Sequence, residues 1–258
     1  MIISHKHKFL FVGLPFSASS AITKELCKEY EGQPYLRKHS LYHEFLEKAK
    51  KEELKYFVFS VIRNPMEIVV TVYLKMKNNP KENYLNPKLY KENGGHISKG
   101  QREKFRFIQS KNATFESFFL KFYNRPYENF SALTTQYSDY IIRYENLEKD
   151  YIEALKLAGI KSPKPLPILN KTRGKAQDIT HYYTEKVKQR AVYVFGPFFK
   201  KYDYKFPDNW GTVHISKISV IQFRILEFIR RNNEKYFKKY SFRKSIKESV
   251  YGNLQRKN

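Results

Sequence analysis

The chain has 258 residues, with 49 Lys and Arg against 25 Asp and Glu, which gives a formal net charge of +24. Hydrophobic residues make up 41% and aromatic residues 17% of the chain, enough for a folded core, so a disordered chain is excluded. Cys27 is the single cysteine, which excludes an intrachain disulfide and a cysteine-based zinc or iron–sulfur site. The charge predicts a polyanionic partner, such as nucleic acid, anionic lipid, an acidic glycan or a phosphorylated ligand.

No stretch of about 18 uncharged apolar residues occurs, so no transmembrane span is predicted. The first 16 residues alternate basic and apolar side chains and lack the layout of a signal peptide. These features predict a soluble, cytoplasmic protein, with association at a membrane surface left open. The histidines show no metal-ligand spacing, so no metal site is predicted.

Strand and helix patterns alternate through the first 160 residues. Strands are predicted at about 8–13, 34–38, 56–62 and 139–144, and helices at about 21–30, 41–51, 65–77, 114–123, 147–157 and 184–195. We expect Ser19 or Ser20 to cap the first of these helices. The alternation predicts an α/β fold with a parallel sheet.

The long polar segment 78–100 is predicted to be a loop. It contains Tyr84, Tyr90 and His96, and two interpretations stay open: these side chains line an acceptor site, or the segment is a surface loop.

From residue 211 onward the chain becomes strongly basic, with 12 Lys and Arg against 3 Glu and a net charge of +9. Five large apolar residues fall on one stripe of a predicted helix, and Arg224, Arg230 and Arg231 lie elsewhere on it. The stripe consists of Ile218, Ile221, Ile225, Phe228 and Ile229. We therefore predict an α/β domain over residues 1–210 and a basic amphipathic helical extension over 211–258. The helix is expected to contact the core, a partner subunit or a membrane surface.

The turn between the first strand and the first helix, Gly13 to Ser20, has the composition of an anion site. Such a turn directs backbone N–H groups and the positive end of the helix dipole at one place, and its hydroxyls add donors. The turn is not a Walker A loop, because Ala-Ser-Ser stands where Gly-Lys-Ser/Thr is needed. An ordinary helix start after a strand is the alternative interpretation.

A second junction follows the aromatic strand at 56–62. Arg63 comes directly after that strand, and Thr71 lies about two turns into the helix that Pro65 begins. In a parallel sheet both junctions lie at the carboxyl ends of the strands, where ligands bind. Together they could hold the two ends of a nucleotide with two separate anionic groups.

Together these segments resemble the sulfotransferases that use 3′-phosphoadenosine 5′-phosphosulfate (PAPS). The likeness covers about residues 7–207 and rests on FLFVG with the Pro15–Ser20 loop, FVFSVIRNPMEIVVTVY, DYIIRYENLEKDY and LPILNKTRGK with the helix after it. It implies a P-loop-like three-layer fold, with a central parallel sheet flanked by helices. It also implies transfer of a sulfuryl group to a hydroxyl, with 3′-phosphoadenosine 5′-phosphate (PAP) as product.

The resemblance also implies the roles of individual residues. The first loop would hold the 5′-phosphosulfate, Arg63 and Thr71 would bind the 3′-phosphate, and a later loop would close over the nucleotide. The first loop consists of Pro15, Phe16, Ser17, Ala18, Ser19 and Ser20, and the later one supplies Lys171, Arg173 and Gly174. A solvated basic loop is the alternative for this last group.

The chain departs from the family pattern at two loop positions. Phe16 stands where the family commonly has Lys or Arg, and an apolar ring cannot stabilise the charge that develops on the departing phosphate. Three consequences stay open: another cation takes over this task, the rate of transfer is low, or activity is lost. Lys24, Lys171 and Lys175 are the candidate cations, and the sequence does not rank them. Ala18 stands in place of the loop glycine, which requires a backbone conformation that alanine can adopt.

His39 is the first candidate for the catalytic base that deprotonates the acceptor hydroxyl. The stretch KHSLYHEF, residues 38–45, resembles the His-x-x-Tyr-x-Asp/Glu-Phe of uronyl 2-O-sulfotransferases, in which that histidine is the base. His43 and Glu44 are the next candidates. A histidine that only makes local hydrogen bonds is the alternative.

The sequence therefore predicts a PAPS-dependent sulfotransferase that needs no metal. The predicted acceptor is a hydroxyl of a carbohydrate or glycan, and whether that acceptor is acidic stays open. The alternative is a basic protein without catalytic activity that binds nucleic acid or an anionic membrane. Against nucleic acid, most aromatic residues lie in apolar strand and helix patterns, and no nucleic-acid-binding motif occurs.

Overall fold

The computed structural model describes residues 1–79, 82–128, 131–167 and 178–233. Within the described residues the chain divides into two compact units, the first within the bounds 1–63, 129–170 and 229–258 and the second within 64–128 and 171–228. The predicted division of the chain near residue 210 stays a prediction.

Within the described residues the strands and helices alternate in the first half of the chain. The strands are β1 (Ile2–Ser4), β2 (Phe9–Val12), β3 (Gln33–Pro34), β4 (Phe57–Ile62) and β5 (Tyr140–Arg143). The α-helices are α1 (Ser19–Glu29), α2 (Tyr42–Leu46), α3 (Pro65–Asn78), α4 (Lys99–Ser110), α5 (Phe115–Phe122), α6 (Ser131–Thr135), α7 (Leu147–Leu157), α8 (Glu185–Tyr202) and α9 (Lys217–Asn232).

The first unit contains a five-stranded sheet in the order β3-β1-β2-β4-β5. The β2–β4 and β4–β5 pairs are parallel, so the predicted α/β fold with a parallel centre is confirmed. The β1–β2 and β1–β3 pairs are antiparallel, which the sequence did not predict. A three-residue strand is too short to show an alternating pattern, and β1 is recognisable only by its complete burial beside β2.

Helices cover both faces of this sheet. Phe9 and Phe11 of β2 pack with residues of α1 and α7 in one core cluster. Leu10 and Val12 point the other way, because side chains alternate along a strand, and they pack with Tyr42 and Phe45 of α2. The first unit is therefore the layered arrangement that the resemblance implies.

The second unit has a core rich in aromatic side chains. Phe115 makes edge-on contacts with Tyr73 and Tyr183, at centroid distances of 5.5 and 5.0 Å. The hydroxyl of Tyr73 donates to the carbonyl oxygen of Ala113, and that of Tyr183 donates to that of Met66, both at 2.9 Å. These rings are structural, and as buried groups they offer no stacking surface to a nucleic acid.

Several helices differ from the sequence prediction. The helices α4 and α6 were not predicted, and α2 ends at Leu46 instead of near residue 51. The helix α8 was expected to end near residue 195, before Gly196 and Pro197, but it continues to Tyr202. Gly196 allows close packing there, since a Cβ atom would lie 2.9 Å from the side chain of Ile215. Along the described residues, no helix is both long and apolar enough to cross a membrane.

Candidate functional site

The loop after β2 has an unusual backbone. Phe16 and Ala18 both have positive φ, at 66° and 56°, a conformation that costs energy for residues other than glycine. Ala18 is the N-cap residue of α1, and no side chain caps the helix. The predicted cap at Ser19 or Ser20 is therefore wrong, because the left-handed turn at Ala18 starts the helix at Ser19, two residues before its predicted start. The N–H groups of Ala21 and Ile22 donate to the carbonyl oxygen of Ala18, at 2.9 and 3.2 Å. Those of Ser19 and Ser20, the first two residues of the helix, are left for an external acceptor.

The loop is held tightly against the strand it follows. The buried hydroxyl of Ser17 donates to the carbonyl oxygen of Leu14 at 2.7 Å, so its hydrogen is already used within the loop. Gly13 lies so close to Ser19 that a Cβ atom at residue 13 would be 2.7 Å from the Cβ atom of Ser19. Of the hydroxyls expected to serve a ligand, that of Ser20 is the exposed one.

Arg63 reaches this loop from the end of β4. Its Nη1 atom donates to the carbonyl oxygen of Phe16 at 3.1 Å, and its guanidinium lies 4.0 Å from the ring centre of Tyr144. The residue is only 8% exposed. Tyr144 follows β5 directly, so the carboxyl ends of three parallel strands, β2, β4 and β5, meet at one place. This is the edge of the sheet at which α/β proteins bind ligands.

The structure leaves several predicted ligand residues untested. Thr71 lies in α3, in the second unit, and its buried Oγ1 atom has no hydrogen-bond partner among the described residues. Lys171, Arg173, Gly174 and Lys175 lie outside the described residues. The binding roles of all of these residues stay predictions.

The segment between β3 and α2 brings two further groups to the loop. The Nζ atom of Lys38 donates to the Oγ atom of Ser20 at 2.6 Å. The Nδ1 atom of His39 lies 2.7 Å from the carbonyl oxygen of Gly13. Because a carbonyl oxygen only accepts, Nδ1 carries the hydrogen and the Nε2 atom of the neutral ring keeps a free lone pair.

His39 is neutral at physiological pH. His39 is an exposed residue, but desolvation of its ring where Nδ1 meets the loop lowers the pKa of His39 from 6.5 to about 4. The hydrogen bond to Gly13 opposes the shift, and the positive charge of Lys38 adds to it. A neutral imidazole with a free Nε2 atom is the form that can accept a proton.

Glu44, the third candidate base, has a different task. Its buried carboxylate accepts hydrogen bonds from Arg37 Nη2 at 2.9 Å, from Ser40 Oγ at 3.0 Å and from the Leu41 amide at 3.0 Å. These three donors occupy the carboxylate and fasten the two ends of the segment that contains Lys38 and His39. Glu44 is a positioning residue here.

Lys38 is a cation at the loop that the sequence analysis did not name. The sequence offers Lys24, Lys171 and Lys175 in place of the family's loop cation, and of these Lys24 lies exposed on α1. Lys38 immediately precedes His39, so any fold that brings His39 to the loop also brings its neighbour close. That adjacency was the available signal.

The left-handed conformation of Ala18 predicts a stability change. We expect Ala18→Gly to stabilise the protein by about 0.5–1 kcal/mol, since relief of the strain outweighs the entropy that glycine adds to the unfolded chain. Ala21→Gly, in the regular helix, is the matched control and should destabilise by at least about 1 kcal/mol. Urea unfolding of both variants measures the difference, and equal losses would contradict the strain argument.

The aromatic residues of segment 78–100 pack on α4. The ring of Tyr84 stacks on Phe105 at a centroid distance of 5.2 Å, and the hydroxyl of Tyr90 donates to the carbonyl oxygen of Tyr84 at 3.1 Å. The guanidinium of Arg102 lies 4.1 Å from the ring centre of Tyr90. A role of this segment in acceptor binding stays a prediction.

Comparison with known proteins agrees with this geometry. A model of the sulfotransferase family matches residues 1–196, a range that includes the first loop, the Lys38–His39 segment and Arg63. No curated protein and no solved structure matches the chain significantly. The local likeness of residues 38–45 to uronyl 2-O-sulfotransferases stays a prediction. Because the family match covers most of the chain, the protein belongs to the sulfotransferase family and is a transferase of sulfuryl groups.

Proposed function

We propose that this sulfotransferase takes its sulfuryl group from PAPS and transfers it to a hydroxyl of a carbohydrate or glycan. The observation that carries the proposal is the contact of Arg63 with the carbonyl oxygen of Phe16, at 3.1 Å. This contact joins the two strand-to-helix junctions that the resemblance assigns to the two ends of one nucleotide.

The first loop fits the phosphosulfate end of that donor. The start of α1 presents the backbone N–H groups of Ser19 and Ser20, and Lys38 adds a positive charge beside Ser20. The resemblance assigns the 3′-phosphate to Arg63 and Thr71, and closure over the nucleotide to the loop with Lys171, Arg173 and Gly174. A nucleotide with two anionic groups requires positive charges and hydrogen-bond donors that converge on each of those groups.

Each of two side chains has a defined task in the transfer. PAPS supplies an activated sulfuryl group, whose bond to the phosphate oxygen breaks as the bond to the acceptor oxygen forms. The Nε2 atom of His39 accepts the proton of the acceptor hydroxyl. Lys38 stabilises the negative charge that develops on the leaving phosphate, in place of the cation that Phe16 cannot provide.

The acceptor class is proposed from charge and from the resemblance to carbohydrate sulfotransferases. A net charge of +24 favours an acceptor that is already carboxylated or sulfated. Nucleic acid is the less favoured polyanion, because aromatic side chains such as Tyr73, Phe115 and Tyr183 of the second unit are packed in its core.

The donor assignment is tested by thermal unfolding with and without PAP. At 100 times its dissociation constant, a ligand stabilises the folded state by about 2.7 kcal/mol, so we expect a clear rise in Tm. We expect Arg63→Ala to remove most of this rise, measured against the variant's own ligand-free Tm. Arg106→Ala, an exposed arginine of α4, is the matched control and should keep the full rise. Absence of a rise at millimolar PAP in the unmodified protein would contradict the donor assignment.

A further inference from the structure

The helix α9 exposes the apolar stripe that its sequence forms. Ile218, Ile221, Ile225 and Ile229 are 72%, 58%, 53% and 48% exposed, and Phe228 on the same stripe is 63% exposed. The surfaces of ordinary proteins carry single exposed apolar residues, whereas here five large ones lie together on one helix face.

The opposite face of α9 holds the helix in place. Phe223 and Glu227 are buried, and the carboxylate of Glu227 pairs with the amino group of Lys201 of α8. At the flank of the stripe, beside Ile229, the hydroxyl of Tyr193 in α8 donates to the Oε1 atom of Gln222 at 2.5 Å. Because Phe223 and Glu227 lie on the face opposite the isoleucines, this packing leaves the stripe exposed.

A line of positive charge runs beside the stripe. Lys217, Arg224 and Arg231 recur every seven residues, so they form one row along the helix, and all three are exposed. The row lies next to Ile221 on the helix surface. The sequence that follows, 234–258, adds 8 Lys and Arg against 2 Glu.

We infer that α9 binds an anionic membrane surface, with the isoleucines in the boundary between headgroups and acyl chains and the basic row on the headgroups. Apolar side chains flanked by Lys and Arg are the pattern of helices that lie in that boundary. A second copy of the chain fits less well, because two proteins of net charge +24 repel each other across basic edges. Nucleic acid would leave the isoleucines in water. The inference does not depend on the transfer reaction.

The test is co-sedimentation of the full chain with vesicles of phosphatidylcholine and phosphatidylserine, compared with phosphatidylcholine alone. We expect binding to the anionic vesicles, much weaker binding to the neutral ones, and release at high salt. The double variant Ile221→Ser/Ile225→Ser should bind roughly tenfold more weakly for each isoleucine removed. Arg224→Ala should weaken binding about fivefold.

The matched control is Leu54→Ser/Leu157→Ser, which removes two leucines of similar exposure, 46% and 52%, from other elements. This variant should bind vesicles like the unmodified protein, and all variants should keep the Tm rise with PAP. Full binding by the isoleucine variant, or no binding by the unmodified protein, would overturn the inference. So would a dimer in light scattering that the isoleucine variant converts to monomer, or loss of all binding when only residues 234–258 are deleted.

Discussion

We expect Lys38→Met to lower kcat for sulfuryl transfer by roughly 10²–10³-fold, with a much smaller change in PAP affinity. The side chain reaches Ser20 at the start of α1, where the leaving phosphate is proposed to lie. A cation at that place acts most strongly in the transition state, when negative charge builds on the leaving group. Methionine is an unbranched side chain one atom shorter than lysine, so the substitution removes the charged amino group and keeps most of the packing, and steady-state kinetics separate kcat from KM.

Two further variants make this prediction selective. Lys38→Arg keeps the charge and should recover part of the lost rate. Lys24→Met removes the exposed lysine one turn along α1 and should leave kcat within a few-fold of the original. A large loss with Lys24→Met and none with Lys38→Met would show that another cation replaces the family's loop residue.

We expect His39→Ala to lower kcat by roughly 10²–10⁴-fold, the range by which a general base contributes. The Tm rise with PAP should be retained, because the proposed contact of His39 is with the acceptor hydroxyl. Loss of both the rate and the PAP response would indicate that His39 instead maintains the loop through its contact with Gly13. Turnover equal to that of the unmodified protein would exclude His39 as the base.

The pH dependence of kcat/KM gives an independent check on His39. Because its pKa is lowered to about 4, the ring stays neutral and able to accept a proton from pH 8 down to about pH 5. We therefore expect no acidic loss of kcat/KM through pH 6.5, the pKa of an unperturbed histidine, and a loss only as the pH approaches 4. An acidic limb near pH 6.5 would contradict the desolvated environment of this ring.

The strands and helices with strong local patterns were predictable from the sequence. Two such patterns are the uncharged aromatic and β-branched run at 56–62 and the proline that begins α3. These signals do not depend on tertiary contacts. The strand β1 and the extension of α8 past Pro197 were not predictable. Each forms only because a partner buries it: β2 in one case, and close packing around Gly196 in the other.

The candidate site, too, was predictable from the sequence only in part. The sequence by itself determined the anion-binding composition of the loop, the position of Arg63 at the end of a strand and the choice of His39, because each depends on residues close in the chain. Only the tertiary structure decided that Arg63 touches Phe16, that Lys38 lies at the loop where Phe16 lacks a charge, and that the isoleucines of α9 face outward. The first two are contacts between residues far apart in the sequence, and the third depends on which face of the helix packs on its neighbour. No local sequence pattern determines either kind of fact.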